Sequence, residues 1–286
     1  MQIPYFPGCT LTVKAKGLDT TTREALAALG VDLRELARWT CCGTVFPLAS
    51  DNYIQMVAAA RILAETARLG ENRLATVCSF CYNVLKRVNH AIMHNREARE
   101  KINNYLEENY AGEVQPVHPL EIIRDEIGFA RLQERLGSSL KGLKVACYYG
   151  CMLVRPAAEM GFGNPENPSI MEEFIAALGG EPVDFAPKTK CCGSYQILNA
   201  TGLVADRTGD ILAAATAKGA KAIITSCPLC RFNLDWQQKN MEEKEEYVRI
   251  PVLYFTQILG AALKMPAEKL GLEENYIDPR PVLTGI

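Results

Sequence analysis

Two nine-residue stretches decide the fold: Arg73-Leu74-Ala75-Thr76-Val77-Cys78-Ser79-Phe80-Cys81 and Ala222-Ile223-Ile224-Thr225-Ser226-Cys227-Pro228-Leu229-Cys230. Each is a short, mostly apolar run ending in Cys-x-x-Cys, as a buried strand ends in a loop. Upstream of each lies a long stretch with apolar residues at three- and four-residue spacing (53–69 and 204–218), the pattern of an amphipathic helix. Before that helix stands Cys41-Cys42-Gly43 in the first half and Cys191-Cys192-Gly193 in the second, each preceded by a predicted strand (32–36 and 182–185). Earlier still come a helix (20–29 and 169–178) and an opening strand (3–6 and 143–149) that runs into Gly8-Cys9 or Gly150-Cys151. Gly179-Gly180 marks a helix stop.

The chain therefore reads as one pattern written twice. Strands alternate with helices of a length that implies parallel sheets covered by helices. The expected fold class is α/β: two tandem pseudo-symmetric domains, each a small parallel-type sheet with its cysteine loops at the strands' C-terminal ends. Ligands gather at those ends in such folds. The expected division is 1–137 and 138–286, with an extended C-terminal arm from Lys264, a segment holding Pro266, Pro279 and Pro281 and no clear period. Residues 83–112 and 120–137 read as helical, and 241–247 as a solvated, charged helix face. Segments 116–121 and 251–255 match as final strands leading into helices.

With 286 residues, 48% hydrophobic and 22% charged, the chain has the core of two ordinary domains. A net charge of −2 gives no ground for expecting nucleic acid or an anionic membrane as partner. No apolar run of about 20 residues occurs and no charged-then-apolar leader, so a cytoplasmic protein without a membrane span is expected. For a large, core-rich chain of this kind, eleven cysteines point to metal ligands rather than bridges.

Ten of the eleven form the repeat: Cys9, Cys41, Cys42, Cys78 and Cys81, then Cys151, Cys191, Cys192, Cys227 and Cys230. The intervening gaps are 31 and 35 residues in the first set and 39 and 34 in the second. A tetrahedral zinc site or a cubane cluster takes four thiolates; five per set exceeds both. Adjacent cysteines in a strand face opposite ways, so both reach one inorganic core only from a tight turn, which Gly43 and Gly193 permit. An iron–sulfur centre in each half is the expectation and zinc the alternative.

The ten-cysteine pattern resembles the Cys-Cys-Gly domain family, and its two-domain layout is similar to that of the B subunit of heterodisulfide reductase. The resemblance covers essentially the whole chain. It implies two noncubane [4Fe–4S] clusters, one per five-cysteine set, and reduction of the coenzyme M–coenzyme B disulfide in methanogenesis. The disulfide would stand between the clusters and take one electron from each. Relatives with the same two domains include electron-transfer subunits serving flavin or quinone partners, and many carry a ferredoxin-type segment ahead of residue 9. Its absence here implies electrons arriving from a separate ferredoxin-like iron–sulfur subunit (the C subunit of such reductases), and through it from a flavin-containing one (their A subunit). Both coenzymes are anionic, so Lys14, Arg155, Lys188 and Lys190, each near a motif cysteine, are candidate substrate-binding cations; solvation or tuning of cluster charge is the alternative. His118 is expected to be structural, its counterpart in the second half being Phe255. His90 and His94 are expected on a helix surface, Cys147 as a buried free thiol, and Tyr148 and Tyr149 beneath the second cluster.

Overall fold

A computed structural model describes residues 1–44, 53–241 and 249–284. Strands β1 (Gln2–Tyr5), β2 (Asp32–Glu35), β3 (Arg73–Ala75) and β4 (Gln115–Val117) form one wholly parallel sheet in the order β2-β1-β3-β4. Strands β5 (Lys144–Cys147), β6 (Glu181–Val183), β7 (Ala222–Thr225) and β8 (Val252–Tyr254) repeat that order in a second sheet, β6-β5-β7-β8. Every residue of β7 is buried, as a parallel strand covered on both faces requires. In each sheet the order reverses beside the first strand, between β1 and β3 and between β5 and β7. Loops diverge at such a switch point and leave a crevice at the C-terminal ends. Those ends carry Cys9 and Cys78 in one sheet, Cys151 and Cys227 in the other.

The first half contains α1 (Cys9–Val13), α2 (Lys16–Ala28), α3 (Val57–Arg68), α4 (Ser79–His94), α5 (Arg96–Leu106) and α6 (Phe129–Arg135). The second contains α7 (Ile170–Ala177), α8 (Thr201–Ala217), α9 (Pro228–Trp236) and α10 (Phe255–Ala262). In α2, Leu18, Thr21, Thr22, Ala25 and Leu26 are buried, one face at helical spacing. The expected single helix over 83–112 is two helices, because Asn95 takes an extended conformation and its side chain accepts from Ala98 N at 3.0 Å, capping α5.

The halves interlock. Helix α10, which follows β8, packs on α2 of the first half, and α6, which follows β4, packs on α7 of the second. Thr21 Oγ1 and Thr256 Oγ1 share a buried hydrogen bond of 2.6 Å across this seam. Rings of His118, Phe162 and Phe255 meet there at 5.7–6.0 Å.

The tail is a correction. From Lys264 onward the chain does not extend as an arm but folds back in short turns at Ala267–Lys269, Leu272–Glu274 and Arg280–Leu283. Leu270 and Leu272 are buried, Glu274 accepts from Gly17 N at 2.8 Å, and Asp235 accepts from Tyr276 N and Ile277 N. The prolines had concealed two apolar anchors with no periodicity. Beyond Met241, the charged stretch expected as a solvated face lies outside the described residues.

Candidate metal centres

Each Cys-x-x-Cys sits where a strand hands over to a helix. Cys78 is the N-cap of α4 and Cys227 the N-cap of α9, where Cys227 Sγ accepts from Cys230 N at 3.4 Å. Against burial, which raises it, the Cys230 thiol and the backbone N–H groups of Cys230 and Leu229 pull the Cys227 thiol below its ordinary range. Gly43 and Gly193 adopt φ of 91° and 93°, so each Cys-Cys pair, on the loop several residues past its strand, runs into the turn expected for it. Asn233, one turn beyond Cys230 and buried, donates to Ser194 O at 2.9 Å and to Cys192 O at 3.4 Å, holding the second turn in place.

All eleven thiols are free, and the sulfurs stand in close pairs. Cys9 Sγ lies 3.7 Å from Cys41 Sγ, Cys42 Sγ 3.6 Å from Cys81 Sγ, and Cys192 Sγ 3.6 Å from Cys230 Sγ. A disulfide would bring them to about 2.05 Å. Two thiolates at about 2.3 Å from one tetrahedral metal are about 3.8 Å apart, so these separations fit shared metal ligation. Donation from Cys41 and then Cys81 pulls the Cys42 thiol below its ordinary range, and donation from Cys151 and then Cys192 does the same to Cys191. Among the described residues no three His, Cys, Asp or Glu side chains converge as for a single ion.

The backbone also leaves room for sulfur. A Cβ on Gly8 (φ 77°) would stand 2.8 Å from Cys81 Sγ, and one on Gly150 (φ 65°) 3.0 Å from Cys230 Sγ. These equivalent glycines let the loops of Cys9 and Cys151 close onto the Cys-x-x-Cys sulfurs. Donor chemistry, sulfur spacing and clearance all fit an inorganic core in each half.

The two sets are neighbours. Ser79 Oγ, between Cys78 and Cys81, and Ser226 Oγ, next to Cys227, share a buried hydrogen bond of 2.7 Å. Nothing in the sequence periodicity marks either serine; their only signal is adjacency to a cysteine. Tyr254 lies within electrostatic reach of both Cys78 and Cys227, and burial pushes its hydroxyl well up.

The four predicted cations fare differently. Lys14 is exposed at the end of α1 and Lys190 is exposed beside Cys191. Arg155 is engaged internally: it donates to Thr189 O at 2.8 Å and to Glu166 at 2.7 Å, tying the loop after Cys151 to the loop before Cys191. Lys188 is buried, donating to Pro168 O at 3.0 Å and Glu172 at 2.9 Å, so it is no free cation. Its carbonyl accepts from Tyr149 N and Gly150 N, and Tyr148 Oη donates to Lys190 O at 2.6 Å. Tyr148 lies among the second-set thiols, whereas the Tyr149 hydroxyl turns away to Glu172.

His118 is structural as expected. Its Nδ1 accepts from Leu120 N at 3.2 Å and its Nε2 donates to Val77 O at 3.0 Å, and burial pulls it down to about 3. Its counterpart is Tyr254 rather than Phe255. The register pairs Ala75 with Val117 and Ile224 with Leu253, and the backbone N–H of His118 and of Tyr254 is capped from three residues on, by Glu121 and Gln257. His90 and His94 are exposed, their rings stacked at 4.0 Å on α4. Cys147 is fully buried, and burial pushes its thiol up.

The cysteine-rich domain family CCG matches residues 3–86 and 145–235. The chain belongs to this family. It is 32% identical, over 97% of its own length and 97% of the relative's, to the 8-methylmenaquinol:fumarate reductase membrane anchor subunit of Wolinella succinogenes. It is 31% identical, over 96% of its length and 94% of the relative's, to the B subunit of the ferredoxin/F(420)H(2)-dependent CoB-CoM heterodisulfide reductase of Methanosarcina acetivorans. Both relatives are named as subunits of oxidoreductases. A hypothetical protein from Helicobacter pylori shares the fold, with a TM-score of 0.78 at 13% identity over 97% of this chain. This CCG chain spans 52% of that structure's chain. Among its described residues no helix is long and apolar enough to cross a membrane.

Proposed function

We propose that this CCG protein is the catalytic subunit of a disulfide-reducing complex. Cys9, Cys41, Cys42, Cys78 and Cys81 hold one noncubane [4Fe–4S] cluster; Cys151, Cys191, Cys192, Cys227 and Cys230 hold the other. The observation that carries this reading is the buried contact between the Cys-x-x-Cys loops of the two five-thiol sets, Ser79 with Ser226. Bound clusters would supply one-electron steps, and a disulfide takes two electrons and two protons to become two thiols.

The coenzyme M–coenzyme B disulfide is the proposed substrate, as in the heterodisulfide reductase relatives. A ferredoxin-like iron–sulfur protein, fed by a flavoprotein of the same complex, is the proposed donor. Within the chain, Gly8 and Gly150 admit the sulfurs, Asn233 fixes the Cys191-Cys192 turn, and Arg155 and Lys188 hold the loops around Cys151. Lys14 and Lys190 are the exposed cations placed to meet an anionic substrate. His118 has both ring nitrogens committed and is not the proton donor.

A second reading is favoured by the fumarate reductase relative and by one surface. Tyr195, Leu198, Leu203, Phe232 and Trp236 are exposed on elements that pack together beside Cys191 and Cys192. An apolar surface there suits a relay of electrons between a quinol and a flavin partner. One experiment separates the readings. Anaerobic protein with reduced viologen and the coenzyme disulfide should release two thiols per disulfide. Electron uptake without thiol, together with oxidation of a menaquinol analogue, would establish the relay instead; zinc without acid-labile sulfide would overturn both.

A further inference from the structure

A cavity of about 470 Å³ opens beside the first cysteine set, lined by Arg38, Trp39, Thr40, Arg61, Glu65 and Arg68 among others. Thr40 directly precedes Cys41, and both Cys41 and Cys9 are exposed. Arg68 is shared with Glu65 and Glu108, but Arg38 and Arg61 are exposed and have no ion-pair or hydrogen-bond partner among the described residues. Trp39 is held by Phe6, edge to face at 5.5 Å, and by donation to Glu35, which gives the cavity a fixed aromatic wall.

The second half is built differently. Two of its cations near the Cys-Cys turn are spent inside the protein, Lys188 on Glu172 and Arg155 on Thr189 and Glu166. Its exposed surface beside Cys191 is apolar, with Leu198 84% exposed. Lys190 and Arg207 stay exposed near Cys191, so what sets the first site apart is a cavity that joins two uncommitted arginines to a fixed aromatic wall, in a chain whose net charge is −2.

We infer that the face formed by Arg38, Arg61, Arg68 and Trp39 docks an acidic one-electron carrier protein, making the first cysteine set the point of electron entry. This rests on the iron–sulfur reading above. A patch of net positive charge, here three arginines against Glu65, beside a redox centre raises the encounter rate of an oppositely charged partner and orients it. Arginine forks bind carboxylates in two-point fashion, and the cavity admits an acidic loop of the partner. Each encounter delivers one electron and oxidises the carrier by one electron; no bond is made or broken.

The test uses the cluster-loaded full chain and an acidic plant-type [2Fe–2S] ferredoxin as probe, in stopped flow at rising ionic strength. Wild type should be reduced fastest at low salt, and Arg38→Glu with Arg61→Glu should slow the bimolecular step by roughly tenfold. The two should converge at high salt, where charges beyond a Debye length are screened. Lys218→Glu with Lys221→Glu, the same charge change on exposed residues of the second half, should leave the rate near wild type. Reduction by photoreduced deazaflavin, which is uncharged, should be equal in all variants. Equal ferredoxin rates in wild type and the double variant at low salt would overturn the docking face, as would a wild type that ferredoxin does not reduce while deazaflavin does. Failure of both reductants, or absence of iron and acid-labile sulfide, would instead sink the iron–sulfur reading. In that case salt-sensitive binding of ferredoxin, lost in the double variant, still decides the docking face.

Discussion

A single methyl group tests the thiol sets most directly. Gly8→Ala would place carbon 2.8 Å from Cys81 Sγ on a backbone with φ of 77°, and Gly150→Ala 3.0 Å from Cys230 Sγ at φ 65°. Either change should empty one set while sparing the other, so iron and acid-labile sulfide should fall to about half of wild type in each single variant. Loss of both sets from one substitution would mean that the sites assemble together. His118 supports a second prediction, through pH. Its folded value of about 3 lies below the ordinary 6.5, so the buried neutral ring contributes stability fully present above about pH 6.5 and lost as pH falls toward 3. The unfolded chain gains a proton there that the native ring refuses, which costs up to about 1.4 kcal/mol per pH unit. His118→Gln should flatten this slope of melting temperature against pH. An unchanged slope would show that the carboxylates alone govern it. The ten cysteines themselves were legible as a repeat, because residue type and spacing are written directly in the chain. Asn233 was not, since a polar residue on a helix gives no sign of which carbonyl it will meet.

At the scale of elements, most of the pattern was legible from period alone. The strand 222–225 and the helices near 20–29, 53–69 and 204–218 stand within a few residues of expectation, because alternation and 3.6-residue spacing are local properties. The division of 83–112 into α4 and α5 was missed, because one capping asparagine decides it against a continuous helical composition. Asn95→Ala removes the acceptor for Ala98 N and should cost about 1 kcal/mol. Calorimetry should show a lower melting temperature with iron content unchanged, as α5 lies away from both thiol sets. A drop in cluster content would place this cap in the support of the first site. The placing of Cys78 and Cys227 as N-caps follows from the same local chemistry: the strand ends, the helix begins, and the first thiol falls on the open N–H groups.

For the whole molecule, the interlocked helices mean that neither half buries its surface alone. Residues 1–137 expressed by themselves would expose the face of α2 that α10 covers, and residues 138–286 the face of α7 that α6 covers. Each half alone should show no cooperative melting, and co-expression should restore it; a half that melts cooperatively by itself would refute this. The tail adds a further constraint. Ending the chain at Lys264 would expose the bed of Leu270 and Leu272 and leave Asp235, which is buried, without two backbone donors. Asp235 would keep Arg231, at 3.5 Å, but each hydrogen bond lost by a charged group costs about 1.5–3 kcal/mol, so the truncated chain should aggregate or melt well below the full chain. Sequence by itself determined the parallel α/β class, the twofold repeat and the identity of ten thiols, because period, order and spacing are one-dimensional facts. Tertiary structure alone decided that the two Cys-x-x-Cys loops touch at Ser79 and Ser226, that Arg155 and Lys188 are spent on loops while Arg38 and Arg61 are not, and that the tail is a clasp. Those outcomes depend on how two sheets pack against each other, and packing joins residues whose separation along the chain carries no trace of their contact.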